Sequence, residues 1–333
     1  MTAWLLHSFI VGALAVACLW LCPAAWRARV RQAVPVGAFS VLLLLAITLA
    51  RPLPRLEVQA PTALASWADA APSTPWLLWL WAAGCVACLA HQAAGACSVW
   101  KILRTSDRVP GSAWQQLLAD CQRTLGMTGH VHLRLAGRGF VPSATGLLRR
   151  TVLLPTEALR WAPEQRRLVL LHELGHFSRG DLWTHALGRL ACALHWFNPF
   201  AWFLQRQLAI EREYACDALV LARGAAPTDY ATLLYDMATA AQHRPAIAAA
   251  FLTMASPRTG KLEARIQRIL TPAARKSRFA RLLESTACFT SIALLLACAA
   301  CKPVARLLPQ MSPWTAAEIS ARLGADPFPH ETR

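Results

Sequence analysis

The reading of this chain turns on His172-Glu173-Leu174-Gly175-His176, which follows the apolar run Leu168-Val169-Leu170-Leu171 and is closed by Gly180-Asp181. Proline is tolerated in the first turn of a helix and an acid is favoured there, so Pro163-Glu164 predicts a helix start and Gly180 its stop. On such a helix the two histidines, four residues apart, project from one face and can share one metal ion. Glu173 stands one step round, placed to act as a base. Two neutral imidazoles, a carboxylate and an open coordination position are what zinc-assisted peptide hydrolysis requires. Without a metal, the neighbouring leucines would bury both imidazoles and the glutamate with no partners, which is costly.

A third ligand is expected downstream, in Glu211-Arg212-Glu213-Tyr214-Ala215-Cys216-Asp217. Glu213 and Asp217 are again four apart, so on a helix one can bind the metal while the other accepts a hydrogen bond from a ligand histidine. Glu213 is the expected ligand and Asp217 its supporting acid. Glu211 has no carboxylate four residues on and falls roughly 160° round the helix from Glu213.

HELGH followed by EYACD resembles the gluzincin pattern HExxH…ExxxD, and the wider context resembles the BlaR/MecR type of integral-membrane metallopeptidase, peptidase family M56. The residues that carry the likeness are Val152-Leu153-Leu154-Pro155, His172 to Asp181, Trp196-Phe197-Asn198-Pro199 and Arg212 to Leu221. The resemblance implies one Zn²⁺ per chain on His172, His176 and Glu213, with Glu173 handling the proton and Asp217 orienting a ligand histidine. It implies an endopeptidase acting on a cytoplasmic protein in a signalling pathway, such as a winged-helix transcriptional repressor, with self-cleavage before the last membrane span. A homodimer is compatible with it. It also implies that the strand before the HExxH helix is an edge along which a peptide lies, which points to Gly146, Leu147, Leu148 and Val152; an ordinary strand in a small sheet is the equal alternative. Two other functions stay open: a quality-control membrane protease of the HtpX type, and a non-proteolytic receptor or scaffold that keeps the metal site for structure.

Composition agrees with a membrane protein: 56% apolar residues, 16% charged and a mean hydropathy of +0.35. The expected fold is a predominantly α membrane protein, with four transmembrane helices and a cytoplasmic α+β metallopeptidase domain between the third and fourth. The spans are residues 3–26, 32–50, 76–100 and 285–301. The first lacks a basic segment ahead of it and reads as a retained span rather than a signal peptide. Arg27, Arg29 and Arg31 lie between the first two spans, whereas the loop 51–75 carries no net charge. Basic residues favour the cytoplasmic side, so that loop is expected outside, residues 101–284 inside, and 302–333 as a short outer tail, all at the bacterial inner membrane. The apolar stretch 190–204, broken by Asn198-Pro199, is too short to span and is expected at the membrane interface.

The 101–284 region carries 25 Lys and Arg against 13 Asp and Glu, most of the net +16. These charges are scattered, with no aromatic interleaving or nucleic-acid motif, so direct nucleic-acid binding is not expected; insertion topology and proximity to anionic lipid suffice. Inside this region, residues 113–126 predict a helix, and Val131–Leu135 and Thr145–Leu154 predict strands. Residues 226–270 read as helices without chemistry. Cys85-x-x-Cys88 and Cys298-x-x-Cys301 lie in apolar spans, where cysteine acts as a small hydrophobe. His185 and His195 are near enough in sequence to the motif to be candidates for stabilising an oxyanion, and the sequence selects neither. No Ser-x-x-Lys occurs after Cys301, so the penicillin-binding sensor of the best-known relatives is not expected here.

Overall fold

The computed structural model describes residues 2–21, 28–50, 56–59, 75–242, 259–271 and 301–304. Three helices come first: α1 (Thr2–Leu21), α2 (Ala28–Ala50) and α3 (Pro75–Thr105). They occupy the first three expected spans. Among the described residues, α3 is the one helix long and apolar enough to cross a membrane, over Trp76–Thr105. The expected span 285–301 lies outside the described residues except for Cys301. That residue opens a strand, β6 (Cys301–Val304), which pairs in parallel with β1 (Leu56–Gln59).

Beyond α3, β2 (Asp107–Arg108), α4 (Ser112–Leu125), β3 (His132–Ala136), β4 (Ser143–Thr145) and β5 (Thr151–Pro155) build a sheet of order β2-β3-β5-β4. The expected strand 145–154 is therefore two strands joined by a turn. Gly146, at φ +87°, is the reason: this backbone conformation suits glycine, and a Cβ there would meet the Arg149 carbonyl oxygen at 2.0 Å. β5 pairs in parallel with β3 and antiparallel with β4, so it is a central strand buried along its whole length. One face, through Val152 and Leu154, packs on the leucines of the HELGH helix. The other, through Leu153, packs with Phe140 and with Ile102 and Leu103 at the end of α3. The sheet is thus held between a candidate membrane helix and the helix that carries the motif.

That helix, α5 (Pro163–Ser178), follows a 3₁₀ turn (Thr156–Arg160) and starts as predicted, with the Ala162 N–H donating to Gln165 Oε1 at 3.1 Å. Gly180, at φ +72°, separates it from α6 (Asp181–Leu194). The next helix, α7 (Pro199–Ala222), is capped by Asn198, whose Oδ1 accepts from the Phe200 N–H at 3.0 Å. Residues 190–204 accordingly form the corner between α6 and α7, broken at Asn198-Pro199 as the sequence implies. Leu204 and Leu208 pack there with Val11, Ala15, Phe39 and Leu42 of α1 and α2 in a second core. α3 is tied to the same corner: Trp81 Nε1–H donates to the Leu194 carbonyl at 2.8 Å and Trp196 Nε1–H to the Trp81 carbonyl at 3.2 Å. α8 (Pro227–Gln242) and α9 (Thr259–Leu270) pack on each other, and α9 also packs on α7.

Candidate active site

The HELGH helix meets α7 where both helices carry their polar residues. At Gly175, a Cβ would lie 3.4 Å from Cys216 Sγ, so a small residue in the middle of the motif lets α7 come close. The approach puts Glu213 opposite both histidines. Glu213 Oε2 is 3.6 Å from His172 Nε2, and Glu213 Oε1 is 3.8 Å from His176 Nε2. Ligand atoms of the three residues all lie within 4.8 Å of one another.

The other nitrogens of the rings point away from this focus and are held. His172 Nδ1 lies 2.8 Å from Tyr230 Oη, and the Tyr230 hydroxyl donates to Asp217 Oδ1 at 2.8 Å. His176 Nδ1 lies 3.0 Å from Asp181 Oδ2. With the acids accepting on the Nδ1 side, each ring keeps its proton on Nδ1 and turns the Nε2 lone pair to the focus. Arg265 of α9 closes the arrangement: Nε and Nη2 donate to the two oxygens of Asp217 at 2.8 and 2.7 Å, and Nη1 lies 3.0 Å from Glu213 Oε2.

The electrostatics call for positive charge at the focus. Burial disfavours charge on His172, yet the carboxylates of Asp217 and Glu213 beside its two nitrogens outweigh it and raise the imidazole to about 10. Burial likewise pushes the Glu213 and Asp217 carboxyls up, but Arg265 and the histidine hold both below their ordinary values, Glu213 far below. A site that draws a proton onto a buried imidazole is one a divalent cation satisfies better. Two imidazole nitrogens and one carboxylate oxygen, with one side uncommitted, form the donor set of a catalytic metal site.

A second group, His176, Asp181 and Cys216, is equally close-packed, but its chemistry does not fit a metal. His176 turns only its Nδ1 to this group, and that nitrogen is engaged by Asp181 Oδ2 at 3.0 Å and by Cys216 Sγ at 3.3 Å. Asp181 is already held by Arg179 Nε at 3.2 Å. This group orients His176.

Glu173 is buried, at 7% exposure, and accepts a hydrogen bond from no described residue. Beside His176 opens a cavity of about 330 Å³, lined by Gly146, Leu147, Arg150, Phe177 and Trp183 among others. The free edge of the sheet next to it is β4, which packs against α5.

The family model described as BlaR1 peptidase M56 matches residues 7–269. The chain belongs to the M56 peptidase family. The match takes in most of α1, all of α2 and α3, and the HELGH and Glu213 helices. The chain is also 34% identical over 80 residues to regulatory protein BlaR1 of Bacillus licheniformis, a stretch that is 24% of this chain and 13% of that protein.

Of the M56 site residues expected from sequence, the fold brings His172, His176 and Glu213 together and sets Asp217 behind His172. Glu211 is buried but does not join the cluster. Gly146 and Leu147 line the cavity beside His176, while Leu148, at 88% exposure, projects from the turn. Val152 is corrected: it is fully buried and paired on both sides, to Leu133 and Ala144, so no peptide reaches it. His195 is also removed from the site. Its Nε2 lies 2.9 Å from the Leu42 carbonyl and its Nδ1 2.7 Å from Ser8 Oγ, in the corner against α1 and α2. His185 Nδ1 accepts from Gln205 Nε2 at 3.1 Å. Sequence reasoning missed Tyr230 and Arg265, because the region 226–270 shows no motif. It passed over Asp181, although an acid directly after the glycine that ends the motif helix was a usable signal.

Proposed function

We propose that this chain is a zinc endopeptidase of the bacterial inner membrane that cuts a cytoplasmic protein in a signalling pathway, the substrate being a transcriptional repressor. What carries the reading is the convergence of two Nε2 atoms and the Glu213 carboxylate beside a buried glutamate with no hydrogen-bond partner among the described residues. His172, His176 and Glu213 would hold the zinc. When bound, the ion supplies Lewis acidity toward a peptide carbonyl and makes water acidic enough to attack at neutral pH. Glu173 takes the proton from the attacking water and passes it to the departing amine nitrogen, its carboxylate being unclaimed by any described residue. Asp181, and Tyr230 with Asp217, keep the two imidazoles in the tautomer that presents Nε2.

An extended substrate would pair with the open edge at β4, whose backbone groups are unclaimed on that side by the sheet, and set a side chain in the cavity beside His176. Support for the cytoplasmic side comes from Arg27, Arg29 and Arg31 around the start of α2 and from Lys101, Arg104 and Arg108 around the end of α3. The pairing of β1 with β6 joins the two segments that this topology puts outside. The relative's designation as a regulatory protein favours signalling over general turnover.

The test is Glu173→Gln in detergent-purified full chain, incubated with a folded winged-helix repressor. Zinc content stays at one per chain while cleavage falls about 10²- to 10⁴-fold. Cleavage that survives the substitution, or wild-type protein without zinc, refutes the reading. Wild-type protein that spares the repressor and degrades unfolded membrane proteins assigns the chain to quality control instead.

A further inference from the structure

We infer that Arg265 is a positioning residue for the metal ligands, setting the geometry of Glu213 and His172 together from a helix that carries none of the motif. The inference rests on reading His172, His176 and Glu213 as a metal site. Arg265 lies 48 residues beyond Asp217, on α9, and its side chain is 14% exposed. All three of its guanidinium nitrogens are engaged. Nε and Nη2 grip the two oxygens of Asp217 as a fork, and Nη1 reaches Glu213 Oε2.

Each contact has a consequence at the focus. Glu213 can turn about its side-chain bonds, and both of its oxygens are within 3.8 Å of an imidazole nitrogen. By taking Oε2, Arg265 leaves Oε1 directed to the His176 side. Asp217 is the acceptor for the Tyr230 hydroxyl, which in turn meets His172 Nδ1. With Asp217 pinned at both oxygens, that chain has one geometry. A single planar cation therefore sets one ligand directly and a second through two intermediaries.

Planarity is the property that matters. A lysine ammonium would preserve the charge but presents a compact point charge and cannot bind two carboxylates in a fixed plane. Charge alone would also make a poor reason for a cation here, since a guanidinium near a divalent ion repels it. Its benefit must come from the orientation it gives the carboxylates.

The experiment compares full-length wild type, Arg265→Lys and Arg265→Gln in detergent. Zn²⁺ affinity is read by competition with a chromophoric chelator, and ligand geometry by the visible absorption of Co²⁺. Both variants should lose about 10- to 100-fold in Zn²⁺ affinity, the usual effect of removing a group that orients a ligand, and both should shift the Co²⁺ bands. Thermal unfolding of the chelated proteins provides the control. If Arg265→Lys matches wild type in affinity and spectrum, or if the variants melt earlier with the Co²⁺ spectrum unchanged, the positioning role is overturned and the metal site stands. If wild type binds neither ion, the metal site and this inference fall together.

Discussion

Replacing Tyr230 by phenylalanine removes one oxygen atom from a side chain that is 1% exposed, and leaves the volume of the core almost unchanged. That oxygen stands between His172 Nδ1 and Asp217 Oδ1, 2.8 Å from each. Without it the two are 3.4 Å apart, too far for a good hydrogen bond. Asp217 cannot swing in to close the gap, because Arg265 holds both of its oxygens. His172 thus loses the partner that keeps its proton on Nδ1. A hydrogen bond to a charged group is worth about 1.5–3 kcal/mol, and losing a group that orients a ligand histidine costs about 10- to 100-fold in metal affinity, or about 1.4 to 2.8 kcal/mol. The two ranges overlap, so Zn²⁺ should dissociate from Tyr230→Phe at least tenfold more readily in a chelator competition. At saturating zinc, peptide cleavage should recover most of its rate because Glu173 is untouched. Tyr235→Phe, at a residue 56% exposed on the same helix, is the control. Equal zinc affinity in the two variants would refute the assigned role of the Tyr230 hydroxyl.

Asn198 offers a test of the corner that ties α7 to α1. Its Nδ2 donates to the Ser8 carbonyl at 2.8 Å and to Ser8 Oγ at 2.9 Å, while its Oδ1 caps α7. Asn198→Ala removes the cap, about 0.5–2 kcal/mol, and strands buried acceptors on α1, about 1–3 kcal/mol. Asn198→Ser restores only the cap and should melt between Ala and wild type; equal melting of all three would contradict the bridge. In chelated protein, the pH dependence has two limbs. Asp217 and Glu213, which burial raises but Arg265 holds below their ordinary range, stabilise the fold above about pH 4, and that contribution is lost as pH falls. His172, lowered by burial but raised to about 10 by Asp217 and Glu213, contributes fully below about pH 6.5 and ceases to as pH rises through about 10. Metal-free protein should therefore melt highest between about pH 4 and 6.5, and a maximum above pH 8 would contradict the charge assignment.

Local spacing determined the two helices that carry the candidate metal ligands. Two histidines at i and i+4 must share a helix face, and so must Glu213 and Asp217, whatever the remainder of the chain does. The helix start at Pro163 and the stop at Gly180 acted over a few residues and were legible for the same reason, whereas Asn198 read only as a break and its cap on α7 came from the structure. The sequence also shows that Gly146 interrupts an otherwise strand-like run, yet its consequence there, two strands with Val152 inside, depends on pairing with β3. Nothing in spacing could reveal which distant groups the motif recruits. Asp217 finds Arg265 48 residues away and His172 finds Tyr230 58 residues away, because α8 and α9 pack against the motif helices through apolar surfaces that carry no record of the polar atoms they deliver. Side-chain chemistry within one helix is set by the period of the backbone, whereas the partners that fix the direction of the His172 and Glu213 side chains arise only where separate helices meet.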